Sequence, residues 1–469
     1  MKYNQFHLTT SLTDTSIHDG SHFANQIYGI ANHEISVRNT STCLQVLTSA
    51  VFFTVMLALF LLAVPVSVHA QDYDILIQGG HVIDPKNGID DIMDVAVKDG
   101  IIERVASGIS ATNADRVVDA RGLFVTPGLI DIHSHNYYGT EPNSSYSNGF
   151  SAIPPDGFTF RAGVTTVVDV GGAGWRDFRH FKEQVIDRSQ TRVLAFINIV
   201  GKGMKGTIPI EQNLNDMDPK MTALVAGQFD DIVGVKIAHY RDFDWEPYHR
   251  TAEAAQMAGI PVMVDLGGAG SAEEAMPLET LFFDIFKPGD ILTHTYGRPV
   301  TGHGLKEAAV DENGVLRPHW LEAQNRGIIF DVGHGGGSFF YDIAVPATQQ
   351  GLWPNTISTD IHRSSMNDGM KDMLNVVSKF LNLGMSMKQV IEASTWKPAQ
   401  VIQREELGHL SEGAVADIAV FSHHEGEFGY LDSALQLKPG DQKLQSELTL
   451  REGRVVWDLN GLASSRWDE

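Results

Sequence analysis

Eight short runs of apolar and β-branched residues recur between residues 125 and 360, and no other feature restricts the fold of this chain as strongly. They are Val125–His135, Thr165–Val170, Val193–Ile199, Ile232–Ile237, Ile260–Asp265, Asp290–His294, Gly327–Val332 and Thr356–Asp360. Helical patterns such as Tyr248–Met257 and Gly369–Leu383 lie between several of them. Short, nearly continuous apolar runs read as strands buried on both faces, and strands alternating with helices build a parallel sheet. Eight repeats of this kind predict an α/β fold, a (β/α)8 TIM barrel, whose active site sits at the C-terminal ends of its strands.

The flanks differ in character. Tyr73–Asp84, Asp94–Lys98 and Ile101–Val105 alternate apolar and polar residues around Gly and Asn turns, and the same pattern returns at Ala416–Phe421 and Leu448–Trp457. Such pieces predict strands. Residues 71–126 and 404–469 are thus expected to form one small discontinuous β-sandwich domain around a barrel of residues 127–403. Residues 1–70 stand apart as a leader. Ala50–Val66 is an unbroken apolar run followed by Ser67-Val-His-Ala70, which reads as a signal peptide cleaved after Ala70 and predicts an exported, periplasmic or secreted protein. The alternative is an uncleaved membrane anchor over residues 50–66, a little short of the roughly 20 residues that span a bilayer. Only through this leader is a membrane expected as a partner. The 58 acidic against 35 basic residues give a formal charge of −23, which argues against nucleic acid as a partner and leaves a small-molecule substrate. A single cysteine, Cys43, excludes any internal disulfide. Nothing in the sequence indicates an oligomeric state.

Polar residues at the ends of the eight runs carry the chemistry. In Asp131-Ile-His-Ser-His135 the histidines are two apart, so on a strand both point to the same side, within reach of one ion. Two imidazoles there suit a Zn²⁺-like metal, which takes nitrogen ligands at about 2.0–2.1 Å. Lys236 lies inside the fourth run between Val235 and Ile237, where an unpartnered ammonium is costly to bury. Asp265 ends the fifth run, His294 the sixth and Asp360 the eighth, while His334 follows the seventh. Each alone is an ordinary polar group at a rim. Recurrence in step with the strand period points to one site.

With these residues in place, the chain from about residue 72 to 460 resembles the amidohydrolase superfamily of metal-dependent hydrolases. It is most similar to the dihydroorotase-like branch and its amidohydrolase/deacetylase group. The resemblance rests on Pro127-Gly-Leu-Ile-Asp-Ile-His-Ser-His135, Gly234-Val-Lys-Ile-Ala-His-Tyr240 and Leu292-Thr-His-Thr-Tyr296. It continues through Phe330-Asp-Val-Gly-His-Gly-Gly-Gly337, Ser358-Thr-Asp-Ile-His362 and Gly408-His-Leu-Ser-Glu-Gly-Ala-Val-Ala-Asp417. It implies that His133, His135 and Asp360 bind one metal, and that Lys236 is carboxylated and bridges to a second metal held with His294. It also implies two Zn²⁺, although imidazole and carboxylate ligands equally suit Mn, Fe, Co or Ni. One departure stands out: the fifth run offers Asp265 where the family pattern has histidine. A carboxylate also binds Zn²⁺, at about 2.0–2.2 Å, so both a two-metal site with Asp265 as ligand and a one-metal site stay open.

The activity so implied is hydrolysis of an amide (C–N) or related acyl bond of a small molecule. Cations would lower the pKa of a water to supply hydroxide, and Asp360 would shuttle its proton to the leaving group. His239, His334, His362 and Arg363 are candidates for substrate contact, Arg363 through a substrate carboxylate. A deacetylating esterase on the same site is an alternative, and so is a non-catalytic solute-binding barrel with a degenerate second metal site at Asp265. A glycosidase would need two facing acids about 5–9 Å apart and would have no use for the histidines.

Overall fold

The computed structural model describes residues 72–139, 152–204, 208–265, 276–298 and 307–468. The leader, its apolar run 50–66 and Cys43 lie outside the described residues. The first five strands are β1 (Tyr73–Asp84), β2 (Ile89–Lys98), β3 (Ile101–Ala106), β4 (Ala114–Asp119) and β5 (Phe124–Pro127). Seven parallel strands follow: β6 (Leu129–Ser134), β7 (Val164–Gly174), β8 (Arg192–Asn198), β9 (Ile232–Ile237), β10 (Val262–Val264), β11 (Ile291–Leu292) and β12 (Ile329–Phe330). The chain ends in β13 (Ile418–Leu431), β14 (Leu437–Arg451) and β15 (Arg454–Asp458).

The parallel sheet runs in sequence order from β6 to β12 and curls. The eighth apolar run, Thr356–Asp360, is not an assigned strand. It nonetheless bridges both sheet edges in parallel, through Asp331 with Thr356 on one side and Ser134 with Ile361 on the other. Backbone bonds from Asp360 N to His133 O (2.7 Å) and from His135 N to Ile361 O (3.1 Å) complete the join. Strand alternation divides the core in two. Leu194 and Phe196 of β8 belong to a cluster with Ile130, Ile132, Val168, Val170 and Met263, whereas Val193, Ala195 and Ile197 pack in another with Phe178, Phe181 and Tyr248 from the surrounding helices. Gly234 makes this interior packing feasible, since a Cβ there would lie 1.9 Å from the Phe196 ring.

Three runs are shorter as strands than their sequence suggests, β10 keeping three residues. β11 and β12 have two residues each, because the chain turns out of the ladder immediately afterwards: His294 (φ 61°) and Gly333 (φ 45°) are both left-handed. That departure carries the polar ends of the runs over the mouth of the sheet. The helical patterns are found at Glu246–Ala258 and Met373–Leu381, the first ended by left-handed Gly259, whose N–H bonds Ala255 O.

Both flanks contribute to one continuous sheet of eight strands, in the order β15-β14-β13-β5-β1-β2-β3 with β4 also on β1. The two ends of the chain meet where β13 pairs antiparallel with β5, Ile418 opposite Pro127 and Phe421 opposite Phe124. The two flanks thus share one hydrogen-bonded surface. Residues from both its ends, Ile75, Ile77, Val95 and Val97 with Ile418, Val420, Leu448 and Leu450, share a single apolar cluster. Among the described residues no helix is long and apolar enough to cross a membrane.

Candidate metal centre

His133 is the penultimate residue of β6 and His135 lies just beyond its end, and the two rings turn to the same carboxylate. His135 Nε2 lies 2.9 Å and His133 Nε2 3.5 Å from Asp360 Oδ1. Asp360 is placed there by its left-handed backbone (φ 51°). Tight packing holds it: a Cβ on Gly335 would come within 2.3 Å of Asp360 Oδ2. Potential ligand atoms of His133, His294 and Asp360 all lie within 4.8 Å of one another.

The proton positions on these histidines follow from their partners. Thr293 donates its hydroxyl to Asp331 Oδ2 (2.8 Å) and so can only accept at its oxygen from His133 Nδ1, 2.8 Å away. Asp331 in turn accepts from Thr356 (2.7 Å) and Ser358 (2.6 Å), which fixes it as an ionised anchor. His294 Nδ1 lies 2.6 Å from Gly333 O, an acceptor, and must donate there. Both rings turn Nε2 toward the carboxylates of the centre, the nitrogen that a metal-ligating histidine would offer. Burial, with Lys236 adding to it, pulls His133 down to about 4, so it is neutral.

Lys236 is fully buried, feels the charges of Asp265 and Asp360, and its Nζ has no hydrogen-bond partner among the described residues. Burial lowers its pKa, although Asp265, Asp360, Asp331 and Glu211 all pull the other way. Asp265 continues the β10 direction, bonded through its N–H to Ile237 O (3.1 Å). Its Oδ1 is 3.4 Å from His294 Nε2 and its Oδ2 is 3.3 Å from His239 Nε2. Burial alone would raise Asp265, but His294, His239 and Lys236 hold it well below the usual carboxylate range.

The remaining candidates divide. His239 joins the centre through Asp265. His362 stands beside it, with its ring 6.0 Å from that of His135 and its Nδ1 2.9 Å from Ser364 Oγ. Arg363 is exposed at the rim. His334 is instead buried behind the glycine loop: Nδ1 bonds Gly335 O (2.9 Å), Nε2 accepts from Lys379 Nζ (2.7 Å), and the ring stacks on Phe339 at 4.6 Å. With both nitrogens committed inside the protein it has none left for a substrate.

Several residues that matter here carry no obvious flag in the sequence. Asp331, Asp131 and Asp169 each interrupt an apolar run, which is a usable signal for a buried carboxylate with an assigned task. Asp131 accepts from Thr359 N (3.0 Å) and His133 N (3.2 Å) and is pushed up to about 7 by burial, against those bonds. Asp169 accepts from Asn136 N (2.6 Å) and Gly172 N (2.8 Å) and so shapes the turn after His135. Glu211 and Lys379, by contrast, come from segments with no motif at all.

Comparison with known proteins agrees with this architecture. Residues 349–448 match the model described as Amidohydrolase family. A deacetylase from Brucella anthropi is 31% identical over 343 residues, 72% of this chain and 80% of the relative. A deacetylase from Agrobacterium fabrum is 32% identical over 342 residues, 71% of this chain and 79% of the relative. The chain belongs to the amidohydrolase superfamily. Among solved structures, an adenine deaminase superposes with a TM-score of 0.72 at 25% identity, covering 83% of this chain and all of that one. A dihydroorotase gives 0.67 at 26% identity over 84% of this chain and all of that one. This amidohydrolase is thus dihydroorotase-like, with a TIM-barrel relationship shared by its neighbours. Its family implies a divalent metal. The residues fit one: Lys236 Nζ is buried with no hydrogen-bond partner among the described residues, and ligand atoms of His133, His294 and Asp360 lie within 4.8 Å of one another, a donor set suited to a divalent cation.

Proposed function

We propose that this amidohydrolase is a metal-dependent hydrolase that cleaves the C–N bond of an amide, or a related acyl bond, in a small molecule. The observation that carries the reading is the gathering of His133 and His135 on Asp360 and of His294 on Asp265, with the buried, unpartnered Lys236 acting electrostatically on His133, His294, Asp265 and Asp360. The names of the deacetylases from Brucella anthropi and Agrobacterium fabrum support an acetyl group as the part removed. In this reading His133, His135 and Asp360 hold one Zn²⁺, and His294 and Asp265 belong to a second. Lys236, as its carbamate, joins them. The depressed pKa of Lys236 favours this, because only the neutral amine adds CO₂. Divalent cations bound here would lower the pKa of a water and polarise the scissile carbonyl.

The chain's own residues do the rest. Asp360 takes a proton from the attacking water and returns it to the leaving nitrogen. Thr293, Asp331 and Gly333 keep the imidazoles in the tautomer that leaves Nε2 free. His362 and Arg363, at the rim beside His135, meet the substrate, and Arg363 suits a carboxylate on it. An acetyl ester presents the same carbonyl, and "deacetylase" covers both bonds, so the esterase remains the second reading.

The test uses the chain from Gln71 onward, grown with bicarbonate. Expected are two equivalents of metal per chain by elemental analysis and turnover of members of an N-acetyl amino-acid library, with matched O-acetyl compounds deciding between amide and ester. No metal after reconstitution with Zn²⁺ or Mn²⁺ would sink the enzyme reading in favour of a solute-binding barrel. We read the protein as exported, on the apolar run 50–66 and the small residues up to Ala70. Sequencing the mature N-terminus checks this, and a start upstream of Gln71 would count against it.

A further inference from the structure

We infer that His239, from the turn after β9, is a ligand of the second cation and supplies the imidazole that the fifth strand lacks. The inference rests on the two-cation reading above and reassigns a residue that its position in the sequence suggests for substrate contact.

The first observation is the pairing across Asp265. One oxygen of this carboxylate is 3.4 Å from His294 Nε2 and the other is 3.3 Å from His239 Nε2. His239 therefore stands to Asp265 as His294 does, on the opposite side of the same carboxylate. The second is the far side of the ring. His239 Nδ1 lies 3.1 Å from both oxygens of Glu211, which is buried at 3% exposure. Glu211 accepts from Nδ1, and Nε2 is the nitrogen that faces Asp265; with the two carboxylates raising His239 to about 9, a cation bound at Nε2 would displace a proton from it. A carboxylate–histidine pair of this kind is the usual support of a metal-binding imidazole.

The backbone gives a third, independent indication. His239 (φ 54°), His294 (φ 61°) and Asp360 (φ 51°) are all left-handed, in a set of only eight such non-glycine residues among those described. Strain of this sort persists where a side chain must be aimed at a particular point. At His239 it is secured by Gln212, whose Nε2 donates to the His239 carbonyl at 2.8 Å. Finally, Lys236 precedes His239 by three residues, and its buried, unpartnered Nζ is close enough to act electrostatically on both His239 and Asp265. Asp265 then has a defined place: it sits between two ligating imidazoles as the carboxylate member of the site, not as a decayed histidine.

The experiment measures Zn²⁺ per chain and its dissociation constants in the mature protein, for the unaltered chain, His239→Ala, His239→Gln and Glu211→Gln, with thermal melts to confirm folding. X-ray absorption at the zinc edge counts imidazoles. The unaltered chain should hold two cations. Both His239 variants should keep one at unchanged affinity and lose the other, with fewer imidazoles per zinc. Glu211→Gln should weaken that second cation about 10–100-fold while leaving the first alone. Two cations retained at unchanged affinity in both His239 variants would overturn the assignment of His239 while leaving the hydrolase reading intact. Fewer than two cations in the unaltered chain would overturn both the two-cation reading and this inference.

Discussion

Asp360→Asn is expected to lower turnover by about 10²–10⁴-fold, the usual contribution of a positioned acid–base group, while leaving the fold in place. The substitution preserves shape at a position where shape is demanding, since there is no room for even a Cβ on Gly335 beside Oδ2 and the backbone is left-handed. What it removes is the capacity to take up and release a proton. Burial by itself would raise the Asp360 pKa, but His133, His135 and His362 outweigh it and hold the carboxyl well below the usual range. It is thus ionised, and able to act as a base, throughout the working pH range. Steady-state kinetics on whichever acyl substrate is turned over, with a thermal melt and metal content alongside, read the result. Turnover within a factor of a few of the parent, in a protein with the same metal content, would remove Asp360 as the proton carrier.

Lys236 gives the second large effect, and it has two opposite signs. On the reading proposed above, in which the Lys236 carbamate joins two metals, Lys236→Met should remove that ligand and abolish turnover. In the metal-free protein, however, the same change should be stabilising, by about 1–3 kcal/mol, because it removes a buried polar atom with no partner. The pH dependence follows from the direction of the shift. A lysine whose folded-state pKa lies below its unfolded value binds more protons unfolded than folded, so stability rises with pH between those two values. The advantage of Met is therefore full below the folded pKa of Lys236 and fades as pH approaches about 10.4, the ordinary lysine value. Denaturant melts of chelated protein at several pH values measure this. Lys236→Ala adds a complementary test, since short carboxylic acids should partly restore metal binding by occupying the carbamate's place. A Lys236→Ala protein with undiminished metal would rule out the bridge.

Much of the centre could be read from local rules. Residues two apart on a strand share a side, and His133 and His135 do turn to one Asp360 oxygen. Polar residues ending buried runs collect at one mouth, and Lys236, Asp265, His294 and Asp360 are found together there. The extent of the strands was less legible. β11 and β12 stop after two residues because left-handed turns at His294 and Gly333 lift the chain away, and apolar composition does not encode that bend. His334 shows the same limit. Its glycine-rich surroundings suggest an open loop, yet Lys379, from the Met373–Leu381 helix, reaches in and takes its free nitrogen.

By itself the sequence determined the alternation of strand and helix, the grouping of polar residues at the strand ends and the identity of most of the converging side chains. Those follow from periodicities of a few residues, which any chain of this composition must obey. Only the tertiary structure decided which nitrogen of each histidine is free, that both flanks join in one sheet through β5 and β13, and that His239 meets Asp265 with Glu211 behind it. These depend on pairs far apart along the chain, such as His133 with Thr293 at a separation of 160 residues. Curling the sheet brings such pairs to hydrogen-bond distance, and nothing in their local sequence distinguishes them from the polar residues that the same curl leaves at the surface.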